Sequence, residues 1–112
     1  TYVKDTCDAF VQIMKNDNIF GKTLNVGMNK SISIGELIEL ISQKINHFPK
    51  LNDDQERFRP NLSEVNELQC DNSKIITETK WNPNYNLSLG LDETINWYKE
   101  NLNLFDTELY HV

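Results

Sequence analysis

"KTLNVGMNKSISIGELIELISQKI", Lys22 to Ile45, holds two periodicities in one run. In its first part Leu24 and Val26 alternate with polar neighbours, which puts both on one face of a β-strand, "KTLNVGM". "NKSIS", Asn29 to Ser33, then reads as a turn. Beyond it Ile34, Leu37, Ile38, Leu40, Ile41 and Ile45 recur at helical spacing, with Glu36, Glu39 and Lys44 left to the wet side. Ser33 and Glu36 form a Ser-x-x-Glu capping box at the helix mouth, so the helix is expected from Ile34 to Ile45. A change from period two to period 3.6 across one short turn is an α/β signal.

Working outward, the same alternation of elements continues. "TYV" is short, apolar and β-prone, and Asp5 offers a side-chain oxygen as the cap of a first helix, Thr6–Lys15. That helix would carry Cys7, Phe10, Val11 and Met14 on its apolar stripe. "NDNIFG" ends it, with Gly21 free to take the positive φ of a turn. "HFPKL" reads as a short extended piece, with Pro49 marking an edge or a bend. "LQC", ending at Cys70, is a brief strand, and Asp71, Asn72 and Ser73 are candidate caps for a third helix reaching about Thr79. "KWNPNYN" is a loop. Ser88 is expected to cap a last helix, Leu89–Asn101, with Leu91, Ile95, Trp97, Tyr98 and Leu102 apolar. The chain is therefore mixed α/β, with too few strand residues to close a sheet of its own.

Composition narrows the function. The 112 residues make one domain at most, and a net charge of −6 argues against nucleic acid as a partner, since phosphate backbones are met by basic faces. No run of about 18 apolar residues suggests a membrane span. The start, "TYVKDTCDAF", does not read as a signal peptide. Cys7 and Cys70 show no CxxC spacing, so buried free thiols in a cytoplasmic protein are expected rather than a zinc site or a disulfide framework. His47 and His111 stand alone, without metal-ligand spacing. The glycines at 21, 27, 35 and 90 build neither GxGxxG nor a phosphate loop. No tyrosine is followed by lysine four residues on: Tyr2 meets Thr6, Tyr85 meets Leu89 and Tyr98 meets Leu102.

One segment stands out chemically. In "RFRPNLSEV", Arg57 to Val65, the proline ring of Pro60 holds Arg59 out of the α region and extended. A restrained arginine presents a planar fork of donors suited to bidentate binding of phosphate or carboxylate. Arg57, two residues earlier, points the same way in an extended chain. The plainer reading is a surface pairing of either arginine with Asp53, Asp54 or Glu56.

Four stretches taken in order resemble a known family. "TYVKD" resembles the "Arg-Asp-Phe-Thr-Tyr-Val-x-Asp" element of the extended short-chain dehydrogenases, the NAD-dependent epimerase/dehydratase family that acts on nucleotide sugars. "LNVGMNKSISIGELIELI" looks like that family's "Asn-x-Gly … Ser-[IV]-x-Glu-Leu" strand and helix. "RFRPNLSEVNELQCDNSKI" resembles its Arg-Pro segment followed by "Asp-x-Ser-Lys", and "KWNPNYNLSLGLDETINWYKENL" its "Gly-Trp-x-Pro … Leu-x-x-Gly-Leu-x-x-Thr-Ile-x-Trp-Tyr" ending. The "RPxxSEV" form looks most like the nucleotide-sugar 4,6-dehydratases. Lys80 departs from the pattern, standing where a glycine before Trp81 is usual.

The resemblance implies that residues 1–112 are the C-terminal portion of an enzyme about three times as long, with a Rossmann-type parent fold. The N-terminal part would bind NAD and carry the Tyr-x-x-x-Lys pair, and this portion alone would be inactive. The portion would contribute the substrate lobe and helices flanking the nucleotide-binding sheet. Carried over residue by residue, Arg59 would bind the diphosphate of a nucleotide-diphosphate sugar and Glu64 the ribose hydroxyls. The resemblance further implies a cytoplasmic homodimer as the full-length protein. A 4-epimerase of the same family, and a non-catalytic nucleotide-sugar-binding or interaction module, are the alternative readings.

Overall fold

The computed structural model describes residues 1–51 and 67–105. Four α-helices run in chain order: α1 (Val3–Met14), α2 (Ile34–Ile45), α3 (Ser73–Glu78) and α4 (Leu87–Glu100). Short 3-10 turns follow α1 at Asp17–Ile19 and α4 at Leu102–Leu104. No strand occurs among the described residues.

Helix α2 has the bounds its sequence predicts, and its capping box is complete. The Ser33 hydroxyl accepts from the Glu36 N–H at 3.1 Å, and the Glu36 carboxylate accepts from the Ser33 N–H at 3.0 Å. Asn46 closes the other end in the left-handed region at φ 52°, a conformation asparagine tolerates better than other side chains.

Helix α1 begins earlier than predicted because Asp5 is not its cap. Tyr2 holds that place, and its carbonyl accepts the N–H groups of Asp5 and Thr6. Asp5 lies inside the first turn, buried, with its carboxylate turned to a distant loop. Helix α4 likewise starts before the predicted residue. The Asn86 side chain accepts from the Leu89 N–H at 2.9 Å, so Asn86 is the cap and Ser88 lies within the first turn. At α3, Asp71 accepts from the Ser73 N–H at 2.9 Å, whereas the Asn72 amide turns away to donate to the Gly27 carbonyl at 2.7 Å.

The core is small. Ala9 of α1, Ile75 of α3 and Trp81 are buried, with Ile13, Leu24 and Val26 packed partly against them. The Trp81 indole N–H donates to the Asp5 carbonyl at 2.9 Å. Burying a ring of that size withdraws roughly 150–250 Å², worth about 4–6 kcal/mol of transfer free energy.

The stripe expected to lie inside α1 faces outward instead. Phe10 and Val11 are exposed, Met14 is 82% exposed, and Cys7 is exposed beside them at helical spacing. Both cysteines are free thiols, but the expectation that they are buried is corrected: Cys7 is exposed and Cys70 half-buried.

The two predicted strands lie side by side without a ladder. Leu24 and Val26 do share the core-facing side, with Thr23 and Asn25 exposed. The neighbouring stretch runs antiparallel to them, judged by its bonds. Asn25 Nδ2 reaches the Asp71 carbonyl, Asn72 Nδ2 the Gly27 carbonyl, and Gln69 Nε2 the Asn29 carbonyl. Side-chain amides thus take carbonyls that backbone N–H groups would take in a sheet. Contact is close at the centre, where a Cβ on Gly27 would lie 2.6 Å from Cys70 Cβ and Sγ.

The remaining contacts place α4. Lys44 of α2 pairs with Asp92 at 2.6 Å, and Lys4 of α1 with Glu93 at 2.9 Å. Gly90 lets α4 approach Tyr2, whose Cβ would stand 3.1 Å from a Cβ at that position. The Tyr2 and Tyr85 rings lie 4.5 Å apart, centre to centre.

Candidate functional site

Arg57, Arg59 and Glu64, the residues the sequence singles out, lie outside the described residues. The structure does describe the chain where it leaves that segment. There Glu67 accepts a hydrogen bond from the Ser31 hydroxyl. Two residues on, the Gln69 amide donates to both the carbonyl and the side-chain oxygen of Asn29, at 3.1 and 3.2 Å. Asn29 sits in the left-handed region at φ 51°, which aims both of its oxygens at the same partner. The "NKSIS" turn, read from sequence only as a connector, is therefore a brace for the exit of the arginine segment.

Asp71 and Asn72 continue the brace toward the core. Hydrogen bonds from Ser73, through its side chain and then its backbone N–H, hold the Asp71 carboxyl below the usual range. Asn72 is buried and tied to Gly27. Lys74 Nζ reaches the Thr23 carbonyl at 3.0 Å. Within the "Asp-x-Ser-Lys" residues, Asp71 and Ser73 thus bond to each other at the mouth of α3, while Asn72 and Lys74 tie it to Gly27 and Thr23.

A second junction lies at the N-terminal end of α1. The Asp5 carboxylate accepts the Asn84 N–H at 2.9 Å and the Tyr85 N–H at 3.1 Å, pinning the "KWNPNYN" loop. Beside it, Thr1, Tyr2, Tyr85, Leu87, Gly90 and Thr94 line a cleft of about 130 Å³, mostly apolar. Its lining holds no carboxylate, histidine or lysine, so it has no acid or base of its own beyond the tyrosines. Lys80 precedes the buried Trp81 without adopting positive φ, so the turn does not need the usual glycine.

Cofactor and metal chemistry can be set against these residues. The packed glycines are closed to a pyrophosphate: Gly27 is covered by Cys70 and Gly90 by Tyr2. With no glycine-rich turn in the sequence either, the residues present do not fit a dinucleotide. Among the described residues no group of three or more His, Cys, Asp or Glu side chains is arranged to hold a metal ion. No helix among them is long and apolar enough to cross a membrane.

Residues 1–94 match the family model for GDP-mannose 4,6 dehydratase. The chain belongs to that family. The match spans both braces and the arginine segment between α2 and α3. Relatives of this GDP-mannose 4,6 dehydratase family chain include a UDP-N-acetyl-alpha-D-glucosaminuronate decarboxylase from Bacillus cytotoxicus, 30% identical over 107 residues, 89% of this chain and 32% of that protein. A UDP-glucuronate 4-epimerase from Thermodesulfobacterium geofontis is 29% identical over 105 residues, 93% of this chain and 31% of that protein. A protein from Oryza sativa subsp. japonica named "Probable GDP-L-fucose synthase 1" is 34% identical over 102 residues, 90% of this chain and 29% of that protein. The chain spans about a third of the length of the curated relatives it matches. No solved structure matches it.

The residues that sequence reasoning missed are Asp5, Asn29 and Gln69. Asp5 resembles a helix cap in sequence, since any aspartate before an apolar stripe does. For Asn29 a signal exists: asparagine is the non-glycine residue that most readily enters the left-handed region, so it marks a sharp turn. Nothing local distinguishes Gln69.

Proposed function

We propose that this chain is the C-terminal, nucleotide-sugar-binding portion of an NAD-dependent nucleotide-sugar 4,6-dehydratase. The observation that carries the reading is the match of residues 1–94 to a 4,6-dehydratase family, with the "RPNLSEV" stretch inside it. In this reading Arg59, stiffened by Pro60, donates a bidentate pair of hydrogen bonds to the diphosphate. Glu64 accepts from the ribose hydroxyls. The diphosphate does not react, so both residues bind and orient the substrate without entering the chemistry. NAD and the proton-transferring residues belong to the N-terminal part, and this portion alone is inactive. The complete enzyme works as a cytoplasmic homodimer. A second reading, a 4-epimerase of the same family, is favoured by the similarity to the UDP-glucuronate 4-epimerase.

The test is kinetic. Charge-assisted hydrogen bonds contribute about 1.5–3 kcal/mol each, so Arg59→Ala in the complete enzyme is expected to weaken substrate binding roughly 10- to 100-fold. The loss should fall on KM, because the contact is equal in ground and transition states. Arg59→Lys should recover part of it, since a point charge does not reproduce the fork. Arg57→Ala is expected to change KM little. An unchanged KM for a folded Arg59→Ala enzyme, or the whole effect appearing in Arg57→Ala, would overturn the assignment.

A further inference from the structure

Residues 22–28 carry the alternation of a strand without its partner on one side. The carbonyls of Thr23, Gly27 and Asn29 all turn to the 69–74 stretch, where the side chains of Lys74, Asn72 and Gln69 donate to them. Successive residues of an extended chain send their backbone groups to opposite edges. Leu24, Val26 and Met28 therefore present theirs on the other edge. Among the described residues no backbone hydrogen bond joins the N–H or the carbonyl of any of these three. A row of open donors and acceptors is a template for a further strand. The same run is flanked by apolar surface: Phe10 and Ile13 of α1 meet Leu24 and Val26 along an open groove of about 510 Å³.

We infer that residues 24–28 are a docking edge, filled in the full-length protein by an extended segment from outside these 112 residues. The inference rests on the part of the reading under Proposed function that makes this chain one portion of a longer protein. The chain covers only 32%, 31% and 29% of the three relatives, so most of such a protein is available to supply the segment. Two segments side by side make a marginal sheet in water, and a third strand is what stabilises one. The chemistry of the occupant follows from the alternation. Its side chains are apolar beside Leu24 and Val26, which pack toward the core, and polar beside Thr23 and Asn25, which are exposed. A second copy of this chain fits the edge less well. Two such edges paired antiparallel about Val26, the middle of the run, set Lys22 of each copy opposite Lys30 of the other, and like charges directly opposite are destabilising.

Amide hydrogen exchange on the full-length protein, resolved to single residues, tests the edge. The Leu24 and Val26 amides are expected to exchange roughly 100-fold or more slowly than in an unstructured peptide, as hydrogen-bonded amides of a cooperative unit do. The Asn25 amide points to the other edge and has no backbone partner among the described residues, so it should exchange faster than either neighbour. Exchange of Leu24 and Val26 at the peptide rate would overturn the proposal. A photo-reactive residue in place of the exposed Thr23 identifies the occupant. Besides its described neighbour Lys74, it is expected to capture a peptide of the same molecule from outside residues 1–112. Capture of a second copy in an isotopically mixed sample, or of nothing beyond residues 1–112, would show that the occupant is misassigned. Calorimetry with GDP- and UDP-linked sugars separates this inference from the reading it rests on. Protected amides in a protein that binds neither sink the nucleotide-sugar reading and leave the edge standing. Unprotected amides in a protein that binds one of them overturn the edge alone.

Discussion

Asp5 shows how one side chain can mislead a sequence reading and still decide a structure. It stands before an apolar stripe, the place of a helix cap, yet it is buried and its carboxylate accepts the N–H groups of Asn84 and Tyr85. Its carbonyl accepts the Trp81 indole as well. One residue near the start of the chain thereby fixes the loop leading into α4. Asp5→Ala would leave two backbone donors unpartnered and is expected to destabilise the fold by roughly 2–4 kcal/mol. Asp5→Asn keeps one acceptor oxygen and should cost about half as much. Urea unfolding of the two variants checks this, and a loss below about 0.5 kcal/mol for Asp5→Ala, the range of an ordinary surface change, would show that the junction does not depend on the carboxylate. The junction was not legible because its partners lie about eighty positions away in sequence, and no local pattern encodes them.

Among the elements, α2 is the one whose sequence contains its own instructions. Cap, stripe and terminating asparagine all lie within a few residues of one another, and the bounds follow. The capping box also has a titration signature. The Ser33 backbone N–H, and then its hydroxyl, hold the Glu36 carboxyl below the usual range. A carboxyl depressed in the folded state adds stability above its unfolded value and loses it as pH falls through the folded one. The α2 cap should therefore be intact at neutral pH and weaken only below the ordinary glutamate range. Carbon-detected NMR titration of Glu36 should give a midpoint below that of an unstructured glutamate, and Ser33→Ala, which removes the hydroxyl and keeps the backbone N–H, should raise it part of the way toward the ordinary value. The same Ser33→Ala change removes an N-cap, a loss of about 1 kcal/mol in thermal unfolding. An ordinary midpoint for Glu36 in the unaltered chain would deny the box in solution. The predicted strands differ from α2 because a strand is defined by its partner. Residues 22–28 alternate correctly, but the stretch beside them offers amide side chains where a ladder needs backbone donors.

At the scale of the molecule, the described residues leave much apolar surface uncovered. Met14, Phe20 and Leu68 are each at least 80% exposed, and Ile34 is 72% exposed. Trp97 and Tyr98 are half-exposed, with Phe105 edge-on to Trp97 and tilted against Tyr98. Surface of this kind on an isolated chain drives association and binds apolar dyes. The chain by itself is expected to self-associate in sedimentation and to enhance the fluorescence of such a dye at micromolar protein. A dye-silent monomer with fully dispersed amide signals would mean that the chain covers these side chains unaided.

Sequence by itself determined where the helices form, the capping of α2, the period-two alternation at Leu24 and Val26, and the family resemblance that the match of residues 1–94 bears out. Those properties are local, or are carried by the order of short motifs, so no neighbour is needed to express them. Tertiary structure alone decided which face each helix buries. Helix α1 turns Ala9 and Asp5 inward and leaves Phe10 and Met14 outside, because Ile75, Trp81 and the Asn84–Tyr85 backbone meet it on that side. Tertiary structure also decided that Asn29 and Gln69, forty positions apart, meet, since a hydrogen bond between distant segments depends on how the chain closes and not on the residues beside either end.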